Sequence, residues 1–313
     1  MTKKNQQDCT LARDAAVEAV RERVAVLEEH IAPCRQEDAD GIHDLRVASR
    51  RLRAALKAHK AAFPRSLRKA LAKRVKKVTR RLGTARELDV CVEVLRMHAD
   101  VFPGEVNEGV TFVLGVLRRG RAAESASVAQ AVAVVDTPEF AQQVEGLVEA
   151  AGSTRACYLE RLEKDLKNKY AKILDAYSAW QRAPSGDSLH QVRIQCKKFR
   201  YACEIAAGQY GKGMDRFTAR LKTVQTLLGD WNDARVLRNY VNAAKPEAPP
   251  ELAGAVDQLY QWLDGEAARL LAAFEKEAGT IFTKEAKRMA ESLFEKPEAA
   301  CCRTEDYRKS RKS

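Results

Sequence analysis

The stretch HDLRVASRRLR (His43–Arg53) sets bases at +3, +7, +8 and +10 from a histidine, and HQVRIQCKKFR (His190–Arg200) does the same 147 residues later. Neither line has the alternation of a strand. On a helical wheel with His43 at 0°, Arg46, Arg50, Arg53 and Lys57 fall between about 280° and 340°. Leu45, Leu52 and Leu56 fall near 180° to 220° on the same wheel. The line therefore reads as an amphipathic helix with one basic ridge beside one apolar face. In the second copy His190, Arg193, Lys197 and Arg200 repeat the ridge, and Val192, Phe199 and Cys203 take the core side.

The likeness continues one helix further on. RRLGTARELDV (80–90) is answered by TLLGDWNDARV (226–236), so Leu82-Gly83 matches Leu228-Gly229 and Glu87 matches Asp233. Arg74 pairs with Arg220 and Lys76 with Lys222, now at a spacing of 146. The expectation is an all-α chain of two helical halves, 10–136 and 137–296, related by a pseudo-twofold axis around a basic groove or channel. They form a single domain over 10–296, followed by a basic tail over 297–313.

The flanking segments agree. Leu11, Val17, Val20, Val24, Leu27 and Ile31 recur at helical spacing up to Pro33. Asp38 or Asp40 caps the His43 helix, which runs to Phe63 before Pro64. Leu67, Leu71, Val75, Val78 and Leu82 stripe the next helix, which Gly83 ends, and a fourth starts near Ala85. Further helices are predicted over 110–135, from the Thr137-Pro138 cap to Trp180 with a break at Gly152-Ser153, and over 188–207, 214–228, 230–244, 251–278 and 280–295.

With 313 residues, 45% of them apolar, the chain has material for a substantial core. The N-terminus MTKKNQQDCTLARDAAVEAV lacks the apolar run of a signal peptide, and no apolar stretch reaches membrane-spanning length; a soluble cytoplasmic protein is expected. The eight cysteines form no CxxC pair, which suits reduced thiols better than a disulfide framework or a metal site.

The net charge is +12, and its distribution matters more than its total. From His43 to Arg86 sixteen Lys or Arg face a single acid, Asp44, giving +15 in that segment and leaving −3 for the remainder. Solvent-facing helices usually interleave acids and bases, because like charges one turn apart repel. The first ridge has no acid at all, and a ridge of the same type, again led by a histidine, recurs in the second half; this points instead to an anionic partner. Arginine offers phosphate oxygens two parallel donors, lysine a movable charge, histidine one or two donors according to its protonation.

IHDLRVASRRLRAALKAH, RRLGTARELDV, LHQVRIQCKKFRYACEI and LLGDWNDARVL together resemble the signature stretches of the CHAD family, the conserved histidine α-helical domain. The resemblance spans roughly residues 10–295. It implies a duplicated helical domain, two bundles around a basic central channel, that binds inorganic polyphosphate. Many members carry an N-terminal triphosphate-tunnel domain with an ExExK strand; nothing here matches it, so a stand-alone member is expected and its hydrolase chemistry is not carried over.

Polyphosphate also suits the residues on their own terms. It carries about one charge per phosphate and no bases, so a binder needs cations without stacking platforms. Aromatics are 6% of the chain and the first ridge has none. The expected site is His43, Arg46, Arg50, Arg53, His190, Arg193, Lys197 and Arg200, then Lys57, Arg51, Lys198, Lys73, Arg74, Lys76, Arg80, Arg220 and Lys222. Glu87 and Asp233 would orient the ridge arginines from behind. No metal and no cofactor is expected: His43 and His190 have cations where a second ligand would stand. No Gly-rich phosphate loop, GxSxG or persuasive Cys/His pair occurs.

Non-catalytic polyphosphate binding, with polyphosphate granules as a partner, is the leading reading. A metal-dependent polyphosphate-processing enzyme, with Mg²⁺ on Glu87, Asp89, Asp230 and Asp233, is the second. Duplex nucleic acid, gripped through its phosphates, is the third. No membrane partner is expected.

Overall fold

Asp38 opens the decisive helix as its N-cap, accepting the Gly41 amide at 2.7 Å. Gly41 is required there: a Cβ would lie 2.6 Å from the backbone and side chain of Pro33. The computed structural model describes residues 3–102, 104–152 and 158–295; the tail expected over 297–313 lies outside them. Among the described residues twelve α-helices and three short 3₁₀ turns occur, and no strand.

The first helices are α1 (Lys3–Glu29), α2 (Ile31–Arg35), α3 (Ala39–Ala58), α4 (Arg65–Arg81) and α5 (Gly83–Met97). They are followed by α6 (Gly104–Ala123), α7 (Ser125–Val135), α8 (Pro138–Glu149) and α9 (Tyr158–Arg182). The chain continues with α10 (Gly186–Ala244), α11 (Ala253–Phe282) and α12 (Lys284–Phe294). Thr137 caps α8 by accepting the Phe140 amide, and Pro138 occupies its first turn.

Three helices expected over 188–244 are instead one uninterrupted run of helical backbone, α10. That run is not a straight rod. Gln225 Nε2 donates to the Cys196 carbonyl at 2.8 Å, and His190 meets Asn232 at 2.8 Å. In a straight helix residues 196 and 225 would stand about 43 Å apart. The helical run therefore reverses midway, near Tyr210, and its arms lie antiparallel like α3 and α4. Pro64 enforces the reversal in the first half; no proline occurs in α10, so helical bonding carries through the turn.

The buried positions repeat along the entire chain. Val20/Leu166, Leu27/Ile173, Leu71/Phe217, Leu82/Leu228, Val113/Leu259 and Val135/Ile281 are all buried, each pair 146 apart. One apolar core lies within residues 16–151 and another within 162–294. A third is shared, joining Leu88, Leu95, Val110 and Val113 to Leu237, Val241, Val256 and Leu259. Phe140, Val144 and Leu147 of α8 belong to the first core. The division expected at 136/137 thus falls too early by packing, because α8 closes the first bundle as its counterpart α12 closes the second.

The halves also touch at equivalent residues. A Cβ on Gly109 would lie 2.8 Å from the Ala255 backbone, and these residues are 146 apart. Equivalent residues meet in this way where helices cross beside a twofold axis. Gly109→Ala should therefore cost roughly 1–3 kcal/mol, since backbone, not a flexible side chain, blocks the new methyl. Gly115→Ala, in the same helix with only Arg119 within 4 Å, should instead stabilise by about 0.5–1 kcal/mol. Chemical denaturation of the pair measures both signs.

Candidate anion-binding groove

Where α3 crosses the first arm of α10 the two basic ridges face each other across a cavity of about 710 Å³. From α3 it is lined by His43, Arg46, Arg50, Arg53 and Lys57, and from α10 by His190, Arg193, Lys197 and Lys198. Glu87 and Asp233 line it as well. Residues of both halves thus share one site because the crossing turns the cationic side of each helix inward while Leu45, Leu52, Val192 and Phe199 stay buried.

The crowding is visible in the protonation equilibria. Burial first, then the charges of Arg193 and Arg50, bring Lys197 down to about 7. Burial and then Arg50 lower Arg46 to about 10, which leaves it charged at neutral pH. Arg193 is lowered by burial, a trend opposed by Asp233, whose carboxylate lies 3.6 Å from its guanidinium. Glu87 plays the matching part for Arg46 and accepts the Tyr240 hydroxyl at 3.0 Å.

The two histidines differ. Asn232 Nδ2 donates to Asp233 Oδ1 at 3.3 Å, so the amide oxygen faces His190. The His190 contact at 2.8 Å must then be donation from Nδ1. Neutral His190 accordingly presents the lone pair of Nε2, and donating from Nε2 to an anion requires a second proton. At the position equivalent to Asn232 the first half has Arg86. His43 is lowered from its usual value by burial, then by Arg86.

Several expected residues lie elsewhere. Arg74 bolts α4 to α7 and α8: its guanidinium donates to the Val134 carbonyl and to Thr137 Oγ1, both at 2.7 Å. Lys73, Lys76 and Arg80 are exposed and do not line the cavity. α4 buries Leu71, Val75 and Val78, which turns those three bases to the opposite side of the helix. Arg220 and Lys222 are exposed on α10 for the same reason, with Leu221 and Val224 buried. Arg51 and Arg200 are held by Glu204.

Beside its aliphatic lining and Cys91, the cavity has four residues that were not among the candidates: Arg86, Lys169, Tyr201 and Asn232. Arg86 and Asn232 sit inside the repeated second motif, at matched positions, and that was the available signal. Lys169 belongs to α9, outside any motif, and pairs with Asp165. Tyr201 is 8% exposed, and its hydroxyl has no hydrogen-bond partner among the described residues.

The four acids considered for Mg²⁺ are not gathered. Asp89 accepts Arg121 at 2.9 Å, and neither it nor Asp230 lines the cavity. Among the described residues no cluster of three or more His, Cys, Asp or Glu is placed to hold a metal. Among them, too, no helix is long and apolar enough to cross a membrane.

The model of the CHAD domain matches residues 18–242. The crystal structure of the CHAD domain from the plant Ricinus communis is similar, with a TM-score of 0.67 at 21% identity, over 88% of this chain and 92% of that one. PptA from Streptomyces chartreusis is similar as well, with a TM-score of 0.64 at 18% identity, over 85% of this chain and 99% of that one. No curated protein matches in sequence.

Lys197 makes the crowding measurable. Its folded value of about 7 lies below the ordinary 10.5, so the folded state binds fewer protons than the unfolded state between those values. The stability of the unliganded wild type relative to Lys197→Met should be flat below pH 7. It should rise as pH increases from about 7 to 10.5, as the unfolded lysine alone keeps its proton. Denaturant titrations at stepped pH read the difference.

Proposed function

The chain belongs to the CHAD domain family, and from that premise we propose that it binds inorganic polyphosphate in the groove between α3 and α10, without catalysis. The observation that carries the reading is the convergence of cations from both halves in one cavity, backed by only two lining carboxylates, each beside an arginine. Partly buried cations that outnumber the carboxylates beside them repel one another, and a linear polyanion relieves that repulsion at several positions at once. Arg46, Arg50 and Arg193 supply planar donors, and Lys197 supplies a charge that the ligand restores.

The concave shape favours a single unbranched chain over duplex nucleic acid, whose phosphates lie on a convex surface. Among the described lining residues Tyr201 is the one Phe, Tyr or Trp, and its burial leaves it no free face for a base. Both carboxylates are engaged by neighbouring donors or cations, which favours binding over metal-assisted phosphoryl transfer.

Long polyphosphate should stabilise the protein against heat by RT ln(1 + [L]/Kd), about 2.7 kcal/mol at a hundred-fold excess over Kd. The same total phosphate as orthophosphate should do far less, and rising salt should erase the gain. Arg50→Ala with Arg193→Ala should remove the shift while the far-ultraviolet circular dichroism stays helical. Equal shifts from long chain and free phosphate, or an undiminished shift in the double variant, would overturn the proposal.

A further inference from the structure

The duplication supplies an internal comparison of the two arms of the groove. Three ridge positions on the far side of the crossing correspond at a spacing of 147: Arg53 with Arg200, Lys57 with Glu204, and Arg51 with Lys198. Lys57 and Glu204 are opposite in sign, so Arg53, Lys57 and Lys198 carry +3 where Arg200, Glu204 and Arg51 carry +1.

The cavity follows the charge. Arg53, Lys57 and Lys198 line it, joined by Lys169 from α9, whereas Arg200, Glu204 and Arg51 do not. Glu204 Oε1 accepts Arg200 Nη1 at 3.0 Å, and its Oε2 lies 3.5 Å from Arg51 Nε. Arg51 comes from α3 and Arg200 from α10, so one carboxylate staples the two helices together on that side. Its exposure is only 25%, so the pairs are partly shielded from water. For a phosphate chain to recruit either arginine it must first displace Glu204 and then lie beside that carboxylate. On the other side Lys57 has no carboxylate within ion-pair distance among the described residues; burial and then Lys169 disfavour its charge, and Asp165, which is paired with Lys169, offsets this only in part.

We propose that Glu204 makes the groove one-armed: it withholds Arg51 and Arg200, so that a polyphosphate chain seated on the central arginines leaves past Lys57, Lys169 and Lys198. The inference rests on the polyphosphate reading and adds to it the route of the chain and the residue that sets the route. A long chain fills the centre and the lysine arm, whereas a triphosphate fills the centre alone.

The test titrates wild type, Glu204→Gln and Lys57→Glu with long-chain polyphosphate and with tripolyphosphate at several salt concentrations. In Glu204→Gln the freed arginines should tighten long-chain binding roughly ten-fold at low salt, with a log–log salt slope steeper by about 0.7 for each arginine that joins. Tripolyphosphate should change by no more than about two-fold, because it does not reach that arm. Lys57→Glu plants the counterpart of Glu204 on the open arm and should weaken long-chain binding roughly ten-fold, again sparing tripolyphosphate. Lys57 is exposed, so this variant reports even if loss of the Glu204 staple impairs folding. Wild-type affinity and salt slope in both variants would overturn the role of Glu204, as would an equal gain for both ligands in Glu204→Gln. A wild-type protein that ignores polyphosphate altogether would overturn the reading of the groove itself.

Discussion

The mutual repulsion of Arg46, Arg50, Arg193 and Lys197 is the constraint around which the molecule is organised. All four are partly buried and line one cavity, and each proton equilibrium resolved among them is displaced against the charged form. Asp233 and Glu87, through Arg193 and Arg46, only partly offset the cost of that arrangement. It is held by the apolar surface on the other sides of the same helices, where Leu45, Leu52, Val192 and Phe199 are fully buried. Each half folds around its own core, and the shared core of α5, α6, α10 and α11 brings the two ridges together. Strain of this kind is sustained only where the surrounding packing over-determines it.

Duplication gives the groove its inventory of charge, and departures from duplication make its two sides chemically different. Where the first half has Arg86 beside its histidine, the second has Asn232, which orients the ring through Nδ1. Where the first half has Lys57, the second has Glu204. Where the second half has Tyr201, the first has Ala54, which leaves room for an aromatic body between the ridges. Each substitution is a single residue at a matched position, so the twofold plan of the backbone survives while the chemistry of the two sides diverges.

Arg74 marks the limit of reasoning from matched charges. It resembles its neighbours in sequence, yet it satisfies the ends of α7 and α8 through the Val134 carbonyl and Thr137. Lys73, Lys76 and Arg80 repeat at helical spacing as clearly as the groove residues do, but on a helix whose buried stripe faces α3. A wheel assigns bases to the side opposite the apolar stripe; whether that side meets solvent or a second helix is not a property of the helix alone.

The sequence by itself determined the all-α class, the duplication, the core stripes and the two histidine-led ridges, because helical periodicity and repetition are local and survive without knowledge of partners. It also singled out Glu87 and Asp233, which line the cavity beside Arg46 and Arg193. Tertiary structure alone decided that α8 closes the first bundle, that α10 folds back without losing its helical bonding, and that Lys169 and Tyr201 reach the groove. It alone decided that Arg51 and Arg200 are withdrawn by Glu204. These depend on which helices cross and which carboxylate comes within reach of which cation, and such distances are set by long-range packing rather than by spacing along the chain.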